Sequence, residues 1–474
     1  MTIASRFAAF ASTLQLADAP LEVVDAATRL LADTLGCAIA AAREPNAAAV
    51  EIVVAYAAAD RARPEASVIG TDWQTSLRAA ALANCTLARY IDANDIYMPV
   101  GATLSGSGHF SDAVPALLAA AESVNASGAA LLEALIVSYE VQAALAETLP
   151  WLDVGFHSVS QVTVAVALAG GRLLGLDAEQ LAHAAALAIT TGLFLQSWLH
   201  PASDVPVIKG GAPGLAAERG VTCAQLAASG FTAPLDAFET FFGNCGEYRA
   251  AAARAMERLG REWLTPRNAI KPVPAQIFTQ AVAQCASQMY REGLRMETLK
   301  HLTVYSNAGA CARVQGSPGA FRPASREAAD HSTPFVTALT LRDGEIGPAT
   351  YHDEPWRASA VLDAMSKMSL VVDEGWSARL RKSGLLGAEV EAEDVHGRRF
   401  QARVEQFRGH PDNPLSRAGL IAKLDGCFGG VEHSGGSGGR RLLQTCETLA
   451  GSTSVRPLIE CWQTPAERAG SHLR

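Results

Sequence analysis

Four positions in the first half of the chain combine acid, base or cation side chains with a helix end or with glycines. Asp92 stands at the end of a helical stretch, and His109 stands in a glycine-rich loop. His157 precedes a helix of small residues, and Lys209 follows an apolar stretch and precedes two glycines. These residue types suggest a site that moves protons on an anionic substrate, with Asp92, His157 and Lys209 at its centre.

The position of two of these residues indicates their chemistry. A helix dipole disfavours the protonated form of a histidine at the helix N-terminus, so His157 would be a neutral base at pH 7. A buried lysine is costly without an anion beside it, so an interior Lys209 implies an anionic partner. Ordinary structural roles stay open for three of the four: Asp92 as a polar helix terminus, His109 in a surface loop, and His157 as a capping or core histidine.

The bulk composition limits the possible classes of protein. The chain has 474 residues, of which 49% are hydrophobic and 18% charged, so we expect a folded protein with two domains. A formal net charge of −9 without a run of lysine or arginine argues against nucleic acid as a partner. An anionic small molecule is still possible, because a pocket can be locally positive in an acidic protein.

The cysteines and the apolar segments indicate the cellular compartment of the protein. Nine cysteines without a Cys-x-x-Cys pair or a zinc spacing predict reduced, mostly buried thiols. The N-terminus lacks a basic region followed by an apolar stretch. The most apolar stretch, residues 162–168, is far shorter than the ~20 residues of a membrane span. We therefore expect a cytoplasmic protein with no membrane partner.

Helical periodicity extends from residue 5 to about residue 265. Pro20 can begin one helix, Asp177 and Gln180 form a capping box at another, and Ser127 marks a third. The chain changes character near residues 271–274, where strand-like stretches begin.

Two apolar stretches, residues 301–305 and 369–373, predict strands, and residues 388–404 predict a hairpin with one apolar and one charged face. The helical pattern returns after Asn413, where Ser416 can cap a helix. The glycine-rich residues 429–439 suggest a mobile loop. A Walker loop and a strand-borne G-x-G-x-x-G are both absent from the sequence, which argues against a nucleotide-dependent enzyme.

Seven segments in this order resemble the motifs of the MmgE/PrpD family, which includes 2-methylcitrate dehydratase, cis-aconitate decarboxylase and iminodisuccinate epimerase. The resemblance covers nearly the whole chain. The segments are Asp92-Ala93-Asn94-Asp95-Ile96, His109-Phe110-Ser111-Asp112, Phe156-His157, Lys209, Lys271-Pro272-Val273-Pro274, Asp330-His331-Ser332 with Pro334, and Asn413-Pro414-Leu415-Ser416.

The resemblance implies a mainly α fold with an α+β insert. Residues 1–269 and 413–474 would form a large helical domain built from both chain ends, and residues 270–412 an α/β lid. It also implies a homodimer without a metal or an organic cofactor. The substrate would lie between lid and helical domain. The catalytic residues would be Asp92, His109, His157 and Lys209, and the substrate-binding residues would be Lys271, Gln280, Asn94 and Asp95.

Three departures from the family pattern weaken a direct transfer of activity. Ile96 stands where the family has a threonine, which removes a hydroxyl that could bind a substrate carboxylate. Gln280 stands where a histidine is common, and a glutamine cannot take up a proton. About six extra residues, within residues 98–105, separate the aspartate motif from the His109 motif.

The resemblance implies chemistry through a carbanion beside a carboxylate. Under this hypothesis Lys209 and Lys271 clamp substrate carboxylates, His157 is the general acid/base, His109 is a second proton-transfer or orienting group, and Asp92 orients a partner. Dehydration of a small polycarboxylate is favoured as the family's commonest assigned activity. Decarboxylation and epimerisation are the alternatives, together with an inactive dimeric scaffold.

Overall fold

The protein is mainly α-helical. The computed structural model describes residues 1–45, 47–99, 106–197, 205–246, 248–429 and 437–463. Within these residues, helices dominate, and the strands form one four-stranded sheet and two short antiparallel pairs. The fold class predicted from the sequence is confirmed.

Both ends of the chain contribute helices to the helical part. The first segment contains α1 (Ile3–Thr13), α2 (Leu21–Ala42), α3 (Ala48–Ala59), α4 (Leu77–Tyr90), α5 (Val114–Ser123), α6 (Gly128–Thr148), α7 (Ser160–Leu173), α8 (Ala178–Thr191), α9 (Ile208–Ala228), α10 (Ala237–Asn244) and α11 (Arg249–Arg258), with the strand pairs β1 (Ala66–Ser67)–β2 (Gln74–Thr75) and β3 (Ile96–Tyr97)–β4 (Asn268–Ala269).

The α/β part lies between these helical segments. It contains α12 (Gln280–Arg291), β5 (Leu299–Ser306), α13 (Ala308–Cys311), α14 (Arg326–Ala329), α15 (Thr333–Asp343), α16 (Ser359–Ser366), β6 (Met368–Val372), α17 (Glu374–Ser383), β7 (Ala388–Asp394) and β8 (Arg399–Val404). The chain then forms α18 (Arg417–Cys427), α19 (Gly438–Glu447) and α20 (Arg456–Ile459).

Several helices begin where their capping residues predict. Ser127 accepts a hydrogen bond from the backbone of Ala130, and Ser416 accepts one from Gly419. Asp177 forms a complete capping box, and α2 begins directly after Pro20. The local sequence therefore sets these helix boundaries.

Small residues allow the helices around the site to approach closely. A Cβ at Gly214 of α9 would lie 2.2 Å from the carbonyl oxygen of Leu82 in α4, and one at Gly220 would lie 2.7 Å from Cβ of Val166 in α7. Any larger residue would push these helices apart, so the alanine- and glycine-rich composition reflects tight packing of α9 against α4 and α7.

The sheet of the α/β part has the strand order β6-β5-β7-β8. β6 runs parallel to β5, and the other neighbours are antiparallel. The predicted hairpin is confirmed, since Val390 pairs with Ala402 and Ala392 with Phe400, all four of them buried.

The buried hydrophobic residues form two large clusters and a smaller one within residues 66–221. One large cluster draws its members from residues 3–270 and 415–462, and the other from Ile96 and residues 269–407. This distribution supports a helical domain of residues 1–269 and 413–474 and an α/β domain of residues 270–412, and we retain this division as a proposal.

The apolar segments and the cysteines lie mostly in the interior. Gly128–Thr148 is long and apolar enough to cross a membrane, but 83% of its most apolar window is buried inside the protein. All nine cysteines are free thiols, and eight are buried, as predicted. Residues 100–105 of the inserted loop and residues 430–436 of the predicted mobile loop lie outside the described residues.

Candidate active site

A cavity of about 380 Å³ lies between the helical and the α/β parts. The helical part contributes Arg89, Asp92, His109 and His157 to its lining, and the α/β part contributes residues that include Arg313 and His331. Three of the four predicted catalytic residues therefore face one cavity. Lys209, the fourth, does not line it.

Asp92 is placed at the cavity by an unusual turn at the end of α4. Its φ is +52°, in the left-handed region, and its backbone N–H donates to the carbonyl of Arg89 at 3.0 Å. Non-glycine residues hold this conformation at a cost of about 1–3 kcal/mol, and they persist only when surrounding contacts fix them. For Asp92, these contacts are made by its carboxylate with Lys271 and Lys209.

Two lysines contact the Asp92 carboxylate, and one of them also binds a second aspartate. Nζ of Lys271 lies 2.5 Å from Oδ1 of Asp92, and Nζ of Lys209 lies 3.2 Å from Oδ2. Lys209 also donates to both carboxylate oxygens of Asp330, at 3.0 and 2.9 Å. The anion that a buried Lys209 required is therefore supplied by the protein, from both of its parts.

The electrostatics of this cluster keep both carboxylates ionised. Burial raises the pKa of Asp92, but Lys209 and Lys271 outweigh burial and hold that pKa well below its usual value. Burial likewise raises the pKa of Asp330, while Lys209 and His331 bring it below its usual value. Burial lowers the pKa of Lys271 despite its contact with Asp92.

Arg326 of α14 is a second cation beside Asp330, on the oxygen Oδ2 that Lys209 also contacts. Its guanidinium lies 3.2 Å from Oδ2 of Asp330 and 3.4 Å from Oε1 of Glu44 in the helical part. The rings of Tyr90 and Tyr351 flank the guanidinium at 4.9 and 4.6 Å. This buried group joins the two parts of the protein next to the cavity.

One group of three side chains has the composition of a metal site. Ligand atoms of Asp92, Asp330 and His331 lie within 4.8 Å of one another. Lys209 and Lys271 already neutralise the two carboxylates, so their ammonium groups supply the positive charge that a metal ion would bring.

His109 is oriented by a backbone carbonyl. Its Nδ1 lies 2.5 Å from the carbonyl oxygen of Asp95, which can only accept, so Nδ1 donates. Nε2 of the neutral ring is then an acceptor. Burial, followed by Arg89 and Lys271, lowers the pKa of His109 well below its usual value, so the ring is neutral. A Cβ at the preceding Gly108 would lie 2.8 Å from Oε1 of Gln161, so a larger residue there would displace that side chain.

His157 carries its proton on the other nitrogen. The backbone N–H of Val159 donates to Nδ1 of His157 at 3.2 Å, so the neutral ring has its proton on Nε2. Burial, followed by Arg89, lowers the pKa of His157 to about 3. This shift supports the neutral ring predicted from the sequence, with burial rather than the helix dipole as its main cause.

Sequence reasoning missed two arginines of the cavity. Nη1 of Arg89 is buried and, within the described residues, has no hydrogen-bond acceptor; it lies 3.6 Å from Oδ1 of Asp92. Arg313 lines the cavity from the α/β part. The position of Arg89 one helical turn before Asp92 was a usable signal, whereas Arg313 follows a short helix and carries no motif of its own.

His331 belongs to one of the sequence motifs but has no role predicted from the sequence, and it lines the cavity. Its Nδ1 lies 2.5 Å from Oδ1 of Asp330 and 3.5 Å from Oδ2 of Asp92. These contacts fix the ring beside the two carboxylates of the lysine cluster.

Asn94 and Asp95 lie behind the cavity lining and are fully buried. The Asn94 amide donates to Ser111 and to Oδ1 of Asp112, and the Asp95 carboxylate accepts from Ser111 and from the hydroxyl of Tyr139. This placement favours a supporting role for both residues over the substrate contact predicted from the sequence.

Lys271 and Gln280 also lie outside the cavity lining, unlike Ile96, which contributes to it. The Gln280 amide donates to the carbonyls of Val273 and Ala275, and its oxygen accepts from the N–H of Val273. Gln280 thereby holds the segment after Lys271 in shape, and Lys271 is engaged with Asp92. The geometry favours positioning roles for both residues.

Comparison with known proteins gives a consistent result over most of the chain. A model described as the MmgE/PrpD N-terminal domain matches residues 5–252, and one described as the MmgE/PrpD C-terminal domain matches residues 273–446. The 2-methylcitrate dehydratase of Escherichia coli K12 is 26% identical over 414 residues, 81% of each chain. A probable 2-methylcitrate dehydratase of Saccharomyces cerevisiae is 24% identical over 374 residues, 74% of this chain and 70% of the relative. The cis-aconitate decarboxylase of Homo sapiens is 27% identical over 360 residues, 73% of this chain and 71% of the relative.

Proposed function

The chain belongs to the MmgE/PrpD family, and we propose that it is a lyase that dehydrates a small polycarboxylate without a cofactor. The observation that carries this proposal is a cavity in which two neutral imidazoles of opposite tautomer lie beside a buried arginine with an unused donor. A base, a donor and an anion-binding group are the parts that such a reaction requires.

The cationic groups of the cavity support a polycarboxylate as the substrate. Arg89 and Arg313 approach it from different parts of the protein, and Asp92, the aspartate among the lining residues, is engaged by two lysines. A substrate carboxylate can therefore meet a guanidinium without facing an uncompensated protein carboxylate. In this proposal Arg89 binds a substrate carboxylate, the role predicted from the sequence for Lys209 and Lys271.

The proposed reaction begins with removal of a proton next to a carboxylate. Nε2 of His109 accepts this proton, and the negative charge that develops spreads into the carboxylate held by Arg89. Nε2–H of His157 donates a hydrogen bond to the same developing charge. This exchanges the two histidine roles predicted from the sequence, because the tautomers favour His109 as the base.

The second half of the reaction releases water. The electron pair of the broken C–H bond forms the C=C bond as the neighbouring C–O bond breaks. The departing hydroxide takes the proton that Nε2 of His109 accepted from the substrate and leaves as water, which restores the neutral His109 ring.

Decarboxylation and epimerisation are the alternative reactions. Carbon dioxide loss would leave a carbanion that needs one proton, and epimerisation needs proton transfer on both faces of one carbon. The human relative named cis-aconitate decarboxylase supports the first alternative. An inactive scaffold predicts that Lys209 and His157 are exposed or packed without a shared cavity. Lys209 is buried and only His157 of the two lines the cavity, so this pair does not argue against a scaffold; the cavity shared by Asp92, His109 and His157 does.

We also propose the wider arrangement implied by the family. The α/β part acts as a lid, since Arg326, Asp330 and His331 meet the helical part at the cavity. A homodimer and a cytoplasmic location complete the proposal, with nucleic acid and membrane absent from the partners.

Proton NMR in D₂O tests the proposed reaction against its alternatives. Purified protein is incubated separately with 2-methylcitrate, citrate, cis-aconitate and iminodisuccinate. Dehydration produces a new olefinic product, decarboxylation removes a carboxylate, and epimerisation replaces a C–H signal by deuterium without a new olefin. A His109→Gln variant serves as the matched control. Turnover by decarboxylation or deuterium exchange alone would replace the dehydratase proposal, and no change with any substrate would contradict it.

A further inference from the structure

A buried lysine near the C-terminal end of the chain reaches the turn that carries Asp92. Lys423 of α18 has a side chain only 7% exposed, and its Nζ donates to the carbonyl oxygen of Ala93 at 2.7 Å. The same Nζ pairs with the carboxylate of Asp33 on α2, which is fully buried. The contact to Ala93 spans 330 positions of the sequence.

The turn that Lys423 contacts orients two cavity residues. Its first residue, Asp92, holds a left-handed backbone conformation and binds Lys271. Its last residue, Asp95, accepts the hydrogen bond from Nδ1 of His109 through its backbone carbonyl. The Ala93 carbonyl lies between Asp92 and Asp95, so a hydrogen bond donated to this carbonyl constrains both ends of the turn.

The Asp33–Lys423 pair also belongs electrostatically to the site. Burial raises the pKa of Asp33, and the charges of Lys423 and Lys271 oppose this rise. Burial also raises the pKa of Asp95 at the other end of the turn, with a contribution from Asp33. A buried pair of this kind is weak evidence for stability, because desolvation of two charges offsets much of their attraction. A role in fixing one local conformation accounts better for its position.

We propose that Lys423, oriented by Asp33, is a positioning residue that holds the Asp92–Asp95 turn in its strained conformation and thereby aims the His109 ring. The proposal rests on the function proposed above, since it assigns Lys423 to the same site. It gives the C-terminal segment a part in the site although none of the described residues of that segment lines the cavity.

A double substitution separates positioning from stability. Lys423→Met alone leaves Asp33 without its cation and lowers the unfolding midpoint, whereas Asp33→Leu with Lys423→Met removes both charges and restores much of it. The donor to Ala93 is absent from both variants. We expect kcat of the double variant to fall by about 10- to 100-fold, with KM within about threefold of the original value, because misplaced proton-transfer groups slow the reaction while the arginines still bind substrate.

The control is a surface pair of the same kind. Nζ of Lys300 lies 2.6 Å from Oε1 of Glu393, and the Lys300 side chain is 59% exposed. Glu393→Leu with Lys300→Met should change neither kcat nor the unfolding midpoint appreciably. Full recovery of kcat together with the unfolding midpoint in the Asp33/Lys423 double variant would overturn the proposal.

A spectroscopic measurement makes the test independent of turnover. In protein labelled with ¹⁵N-histidine, the short hydrogen bond from Nδ1 of His109 to Asp95 should give a downfield imidazole N–H signal, identified by its loss in His109→Gln. This signal should shift or broaden in the double variant and stay unchanged in the surface control. An unchanged signal would overturn the positioning proposal even if the protein acted on none of the substrates. A shifted signal without turnover would contradict only the proposed function.

Discussion

His109 and His157 face one cavity in opposite tautomers. Nδ1 of His109 donates to the carbonyl of Asp95 at 2.5 Å, whereas Nδ1 of His157 accepts from the N–H of Val159 at 3.2 Å. In the neutral rings, Nε2 of His109 is therefore an acceptor and Nε2 of His157 a donor. The two histidines of the cavity thus have different chemical capacities, one as a proton acceptor and the other as a hydrogen-bond donor.

His109→Gln should remove the base while keeping a side chain of similar polarity. We expect kcat to fall by about 10²–10⁴-fold, the usual contribution of a positioned proton-transfer group. Deuterium incorporation from D₂O into the substrate should be lost in parallel, as measured by proton NMR. Turnover and exchange close to those of the unmodified protein would remove His109 from the mechanism.

His157 should tolerate a replacement that keeps an N–H donor. We expect His157→Ala to lower kcat by about 10²–10³-fold, the effect of removing one donor to a developing negative charge. His157→Gln should retain more of the activity, because its amide can still donate. Steady-state kinetics of the two variants decide between donor and base, since equal losses would indicate that His157 must exchange a proton.

Arg89 should contribute mainly to the binding of substrate carboxylates. Removing a hydrogen bond to a charged group costs about 1.5–3 kcal/mol, so Arg89→Met should lower kcat/KM by about 10- to 100-fold. Isothermal titration with succinate measures binding without turnover. Arg357→Met, at a side chain 67% exposed, is the control. Unchanged succinate affinity in Arg89→Met would assign the carboxylate to another cation.

Lys209 should be essential to stability as well as to the site. Lys209→Met leaves the buried carboxylates of Asp92 and Asp330 without their shared cation. Breaking a buried ion pair on one side costs about 3–5 kcal/mol, so urea unfolding should show a large loss of stability. Lys300→Met, on the surface, should show almost none. A Lys209→Met protein as stable as the original would mean that water or another cation compensates.

Sequence patterns predicted most of the fold for local reasons. Capping residues such as Asp177 and Ser416 act within one helical turn, and the alternation across residues 388–404 sets the faces of the hairpin directly. The residues that line the cavity were predicted less completely. Arg313 and His331 come to it through contacts between distant segments, which the pattern around each residue does not encode.

The roles of the lysines show the same limit. An interior Lys209 was expected to meet an anion, and it does, but the sequence could not indicate that Asp330, 121 positions later, supplies it. Likewise, the type and position of His157 predicted a neutral ring, whereas the nitrogen that carries the proton depends on a backbone N–H two residues away. Residue type predicts that a side chain can bind an anion or transfer a proton. Three-dimensional contacts decide which partner it meets and which of its atoms donates or accepts.

Asp112 should make stability depend on pH around neutrality. Burial raises the pKa of Asp112 to about 7, although Arg89 opposes this rise, and the pKa in the unfolded chain is about 3.9. Because the folded state binds this proton more tightly than the unfolded chain does, the proton stabilises the fold fully below about pH 4. This stabilisation is lost as the pH rises through 7.

Asp112→Asn does not titrate and keeps an oxygen that can accept from Asn94. The free energy of unfolding of the original protein minus that of Asp112→Asn should therefore fall between pH 4 and 8, by about 4 kcal/mol at most. Asp95, His109 and His157 are present in both proteins, so their own titrations largely cancel in this difference. Urea unfolding at several pH values measures it, with the 65%-exposed Asp363→Asn as control. A difference that stays constant across this range would show that Asp112 is ionised throughout and is compensated by Arg89.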